Sequence, residues 1–314
     1  MNEYSDLISK KKFFKTTHNI TSKEELDQWI NIELPKIEGN RTLHVAFRGV
    51  NEAKYKMYNS FQRLWSERNL NALSPSAQDR ILDMINHCKN SVLARYLKRL
   101  GVICNDWYIL SFLQHYGAAS PFLDFSRQFK VVLFFACDNV NYYESNNEID
   151  NYISVYYYKN VDVINAFSNS VYAMAREIAA NLTPNKNLAS NFWKEYMSFE
   201  KVSEIHDWFI VPSYSNSTNI SNKRGKKVTT YTISNLNSTN QDGEFVCNLD
   251  MSVPLEEKII KGGVKYICCL NIHKGLVPYI VKNHLGGSID IARKKYYKQE
   301  VDIANDAVQH ALEM

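Results

Sequence analysis

Residues 112–136 read FLQHYGAASPFLDFSRQFKVVLFFA, and their order of structure decides the fold. A helix beginning near Asp106 runs to His115, and a turn follows at Gly117. Phe122-Leu123-Asp124-Phe125-Ser126 then reads as a strand, and Phe129 to Ala136 as a second apolar helix. Polar side chains are set into this apolar stretch: Gln114, His115 and Tyr116 at the helix end, Asp124 and Ser126 in the strand. Buried Asp and His need partners, so these residues form either a structural hydrogen-bond network or a site. A lone His in such a place is more often structural. Five polar types within thirteen residues put the site reading on an equal footing.

Upstream, Ser22 and Glu25 stand at capping-box spacing, and Leu26, Trp29, Ile30 and Ile32 give the helix they open an apolar face through about Ile37. A strand over Thr42 to Phe47 is ended by Gly49. Helices are expected over Glu52 to Arg68 and over Ser76 to Leu100, the second with Ile81, Ile85, Val92 and Leu97 on one face. Downstream come the polar loop Asp138 to Asp150, a strand over Ile153 to Tyr158 and a helical stretch over 161–210. Residues 213–228, with Lys223-Arg224-Gly225-Lys226-Lys227, read as a loop. Strands return at Thr229–Ile233, Glu244–Leu249 and Val264–Ile272, and a helical region closes the chain from Lys274. The expected class is α+β: a helical segment over 1–40, then one mixed-sheet core over 41–314 with a helical insertion near 161–210.

Composition narrows the function classes. The 314 residues are 45% hydrophobic and 22% charged, as in an ordinary globular protein. A net charge of +4 permits an anionic ligand without announcing nucleic acid. The six cysteines form no C-x-x-C pair and no His follows them at zinc spacing, so no metal is expected. The Lys-rich start has no apolar stretch of signal-peptide length and nothing reads as a membrane span, which points to a reducing cytoplasm. No Gly-rich phosphate loop and no nucleophile elbow occurs.

Leu43-His44-Val45-Ala46-Phe47-Arg48-Gly49 places a guanidinium at the end of an apolar strand. Arginine offers rigid paired donors suited to phosphate or carboxylate, and Gly49 would let a ligand approach the backbone. Taken alone, the segment fits a surface ion pair better.

Taken together, the segments resemble the FRG domain family, named for the Arg-Gly motif present here as Phe47-Arg48-Gly49. Members continue with a Gln-His-x-Gly turn, a Leu-Leu-Asp-Trp-Thr-like segment and an Ala-Leu-Phe-Phe-Ala-like helix. Here these are Gln114-His115-Tyr116-Gly117, Phe122-Leu123-Asp124-Phe125-Ser126 and Val132-Leu133-Phe134-Phe135-Ala136, so that the likeness runs from residue 41 to 138. Gln241-x-Gly243-x-Phe245 resembles a late Gln-x-Gly-x-Phe strand of the family. Departures are Ser120-Pro121 in place of Thr-Arg, Phe125-Ser126 in place of Trp-Thr, and Asn237 where relatives often carry Arg.

A more distant resemblance is to mono-ADP-ribosyltransferases, which order an early strand Arg, a Ser-Thr-Ser strand before a helix, and a late Gln/Glu-x-Glu motif. It implies an ADP-ribosyltransferase-like fold with NAD as substrate. Arg48 and Gly49 would then hold the pyrophosphate or nicotinamide ribose, with Gln114, Asp124 and Gln241 around the cofactor. Ser126 would brace the nicotinamide pocket and Tyr116 stack on its ring. His115 and Glu244 would be the acid–base and carboxylate candidates. Gln241-Asp242-Gly243 puts Gly where the carboxylate belongs and Glu244 one residue late, which on a strand is the opposite face. The setting implied is a toxin or phage-defence effector. Two alternatives stand beside it. One is a protein acting on nucleic acid or binding a nucleotide, with Arg48 and Lys223–Lys227 on phosphate and His115 as acid or base. The other is a non-catalytic ligand sensor.

Overall fold

The computed structural model describes residues 2–39, 45–70, 76–99, 105–167, 170–171, 174–175, 177–178, 197–212, 218–221, 227–230 and 242–296. Its strands are β1 (Thr17–Ile20), β2 (Val45–Val50), β3 (Phe122–Ser126), β4 (Tyr152–Lys159), β5 (Trp208–Pro212), β6 (Thr218–Ser221), β7 (Lys227–Thr230), β8 (Gly243–Asn248), β9 (Ile260–Lys261), β10 (Val264–Lys265) and β11 (Cys268–His273). Seven of them form one sheet in the order β1-β11-β4-β2-β3-β8-β5. Only β1 against β11 is parallel, so the sheet is mixed and the class α+β, as expected. The N-terminal forty residues are not purely helical: β1 forms one edge of the sheet, in register with Cys269 to Ile272.

Helices start where the sequence offers caps. Ser22 and Glu25 close a capping box on α2 (Lys23–Gln28), which passes through a π turn at Trp29–Glu33 into α3 (Leu34–Glu38). Ser76 and Asp79 do the same for α5 (Ala77–Lys89). The single long helix expected to Leu100 is broken, because Asn90 and Ser91 turn their side chains back onto the carbonyls of Asn86 and Cys88. α6 (Val92–Arg99) starts afresh. The helix expected from Glu52 instead begins at Ser60, as α4 (Ser60–Glu67). Asn59 caps it reciprocally with Gln62, while Ala53 and Met57 spend their N–H groups on Tyr152 O and the Glu256 carboxylate. α7 (Asp106–His115), the turn with Gly117 at φ 75°, β3 and α8 (Phe129–Cys137) fall where the sequence places them.

Trp208 and Phe209, expected in a helix, lie on β5. Their burial alternates with period two, Trp208 and Ile210 in one core and Phe209 and Val211 in another. α9 (Asn160–Phe167) and the helix Phe199–Ile205 keep the rest of 161–210 helical where it is described. The 213–228 loop contains strand, since β6 and β7 pair antiparallel, and of the strand expected over 229–233 only its first two residues are described, within β7. The strand expected over Val264–Ile272 is split between β10, a hairpin partner of β9 across Gly262-Gly263 at positive φ, and β11. Helices Val277–His284 and Ile289–Tyr296 follow.

The sheet is nearly two sheets. β2 pairs with β4 along six residues but meets β3 at the single pair Phe47–Ser126, while β3 pairs with β8 along five. One block, β1-β11-β4-β2, packs Val45, Phe47, Tyr157 and Leu270 against α8 and Trp29. The other, β3-β8-β5, packs Phe122, Phe209 and Phe245 under Trp65, Ile81 and Trp107. A third core, with Tyr156, Tyr158, Leu123 and Phe125, lies on the remaining face of both.

Candidate functional site

Antiparallel pairing beyond Phe47–Ser126 would bring Arg48 and Gly49 opposite Phe125 and Asp124. The strands part there instead, and a cleft of about 670 Å³ opens between them. Cofactor sites commonly span about 300–1,000 Å³. Arg48 and Gly49 line one wall, Asp124, Phe125 and Ser126 the other. Val132 and Phe135 of α8, the turn Tyr55–Tyr58 and Arg63 of α4 complete it. Arg48 lies within β2 rather than at its end, since the strand runs on to Val50.

The Arg48 guanidinium bridges the parting. Its Nη1 donates to the carbonyl oxygen of Asp124 at 2.7 Å, in place of a backbone ladder bond. Its Nε is buried without a hydrogen-bond partner. Burial pushes the Arg48 pKa down, the Asp124 charge offsets this, and the like charge of Arg63 adds to it. Arg63 is also lowered by desolvation, and one of its nitrogens donates to Tyr58 O at 2.7 Å. A desolvated guanidinium, Arg48, and the more exposed one of Arg63 therefore share one cleft, an arrangement that an anion relieves.

Gly49 has a structural reason. A Cβ there would stand 2.2 Å from Val132 O and 2.9 Å from Ala136 N, so its bareness admits α8. The approach it was expected to give a ligand is taken by that helix. Ser126 is buried, and its hydroxyl accepts from the N–H of Gln128 at 3.0 Å ahead of α8. Gln114 stands behind the cleft: its Nε2 donates to Asp124 Oδ2 at 2.6 Å.

Other expected residues are placed elsewhere. Tyr116 is 70% exposed and packs on Phe112, outside the cleft wall, where Tyr55 and Tyr58 supply the aromatic surface instead. Glu244 is fully buried on the strand face shared with Val246, accepting from Tyr158 OH at 2.8 Å and Asn160 Nδ2 at 2.6 Å. Burial raises its pKa and the neighbouring Arg127 opposes the rise. It does not line the cleft, because Gly243 takes the position opposite Ser126. Gln241, the His115 side chain and residues 223–226 of the basic run lie outside the described residues. Sequence reading missed Tyr55, Tyr58 and Arg63, which it assigned to a helix face.

Among the described residues no cluster of three His, Cys, Asp or Glu side chains is placed to hold a metal. Cys88, Cys137, Cys247, Cys268 and Cys269 are free thiols. No described helix is long and apolar enough to cross a membrane.

No curated protein and no solved structure matches this chain. One family model does, over residues 43–145. That span holds Arg48 and Gly49 on β2, Asp124 on β3, Arg63 on α4 and the whole of α8, which line the cleft, and the end of α7 behind it. The chain carries an FRG domain over residues 43–145.

Proposed function

We propose that the cleft between β2 and β3 binds a nucleotide through its phosphates, that this nucleotide is NAD, and that the protein cleaves its nicotinamide–ribose bond by hydrolysis or ADP-ribosyl transfer. The observation that carries the proposal is Arg48: a desolvated guanidinium on the cleft wall, with an unbonded Nε and a second guanidinium, Arg63, on the same cleft. Adjacent phosphates satisfy both, and Tyr55, Tyr58 and Phe135 offer ring surface for a base or nicotinamide. The identity of the nucleotide and the reaction rest on the resemblance to mono-ADP-ribosyltransferases. The role of a toxin or phage-defence effector rests on family resemblance alone.

Nicotinamide release from NAD by the purified chain tests the chemistry, and NAD, ADP-ribose, ADP and adenosine in calorimetry test the site. The three phosphate-bearing ligands should bind and adenosine should not. Arg48→Ala should weaken ADP-ribose by roughly 30-fold, the loss of about 2 kcal/mol of charge-assisted hydrogen bonding, and abolish release. Phosphate-dependent binding without nicotinamide release would leave a nucleotide sensor. No binding of any of the four would remove the nucleotide reading.

A further inference from the structure

We propose that Asp124 is the carboxylate that acts on the nicotinamide ribose, with Gln114 as its positioning residue; this rests on the NAD reading above. Among the described residues three carboxylates line the cleft, Glu3, Asp124 and Asp138. Asp138 is committed elsewhere: its carboxylate is paired with Arg293, and its carbonyl accepts from Asn51. Glu3 is an exposed residue of the N-terminal segment and lies outside the sheet. Asp124 is half-buried on β3, an inner strand of the sheet, and of the charges acting on Arg48 its own is the largest.

Asp124 is tied at both ends, to Arg48 across the cleft and to Gln114 behind it. Its carbonyl oxygen holds Arg48, and its Oδ2 accepts from Gln114 Nε2 at 2.6 Å, a short charge-assisted bond. Gln114 Oε1 is buried without a partner, so it is the carboxylate that fixes which way the amide faces. A ligand whose phosphates meet Arg48 is thereby held next to an oriented carboxylate. Glu244, with both oxygens bonded to Tyr158 and Asn160, has no comparable access.

The step is a glycosidic cleavage. The bond between ribose C1′ and the pyridinium nitrogen breaks, and its electron pair leaves with nicotinamide, which becomes neutral. The positive charge passes to C1′ and the ring oxygen, where the Asp124 carboxylate stabilises it. Water adds to C1′ and its proton leaves through Asp124 to solvent. NAD and water give ADP-ribose, nicotinamide and a proton.

Calorimetric binding and nicotinamide release, measured separately on the full chain, test this. Asp124→Asn should hold NAD within about threefold of wild type and lose about 100-fold or more in kcat, the scale of removing one stabilising group. Gln114→Ala should lower kcat by about tenfold with KM unchanged, a split that a purely structural role does not produce. Should Asp124→Asn fail to fold, Asp124→Glu and Gln114→Ala carry the test, since both retain a carboxylate and shift only its placement. Turnover within threefold of wild type in Asp124→Asn, with Arg48→Ala inactive, would overturn the assignment and leave the NAD reading intact. Wild type that binds NAD without cleaving it overturns the role of Asp124 and leaves a nucleotide site; wild type that does neither overturns both.

Discussion

Gly49 and Val132 are in backbone contact: a Cβ on the glycine would stand 2.2 Å from the valine carbonyl oxygen. The Arg-Gly pair therefore does two jobs with two residues. Arg48 faces the cleft, and Gly49 lets α8 lie flat on β2, so that Val132 and Phe135 become its wall.

Gly49→Ala tests that closeness. The atoms in the way, Val132 O and Ala136 N, are main chain and cannot swing aside. The substitution should cost more than about 3 kcal/mol in urea unfolding, at the upper end for overpacking. A second change, Val132→Ala, should give no rescue, because it trims the side chain and leaves the carbonyl in place.

Lys10 is a fully buried lysine that spends its three donors on Ala53 O, Ser154 Oγ and Asn271 Oδ1, at 2.6–2.8 Å. It pins α1 (Leu7–Lys11) to β4, β11 and the loop leading to the cleft. Lys10→Met leaves Ala53 O without this donor and should destabilise the chain by about 3 kcal/mol or more. Chemical denaturation reads this directly, and an unchanged midpoint would show that the lysine holds nothing.

Glu256 gives stability a pH dependence of unusual sign. Burial raises its pKa from 4.5 to about 7, although Tyr4 OH and Met57 N–H donate to it. Since the folded pKa lies above the unfolded one, stability is full below pH 4.5 and falls as pH rises to about 7. The loss is about 3 kcal/mol over that window. Glu256→Gln should lack this slope, so the difference between the two stability–pH curves isolates it.

Glu244→Gln separates burial from catalysis. The amide keeps an acceptor for Tyr158 OH but turns a donor toward Asn160 Nδ2, and it removes the charge beside Arg127. Stability should fall by about 2 kcal/mol, while binding of ADP-ribose should be unchanged. Loss of binding without loss of stability would put this carboxylate back in the site.

Local signals were legible in proportion to how local their physics is. The Ser22–Glu25 and Ser76–Asp79 boxes, the end of α7 and the extent of α8 follow from caps and apolar periodicity within a few residues. The failures have a common cause in distant partners. Residues 52–58 carry a helix-like pattern, yet their N–H groups are claimed by Tyr152 and Glu256. Trp208 and Phe209 read as helix because the two cores that divide them come from other parts of the chain.

The sequence by itself determined the α+β class, the helix–strand–helix unit around Asp124 and the grouping of Gln114 with Asp124, because strand alternation and helix capping are short-range. Only the tertiary structure decided that β2 and β3 touch at one residue pair and then part, that Arg63 and Tyr58 share the resulting cleft, and that Glu244 faces away from it. A sheet's pairing depends on strands brought together from residues 47, 126, 158 and 243, and no spacing along the chain records where such a ladder stops.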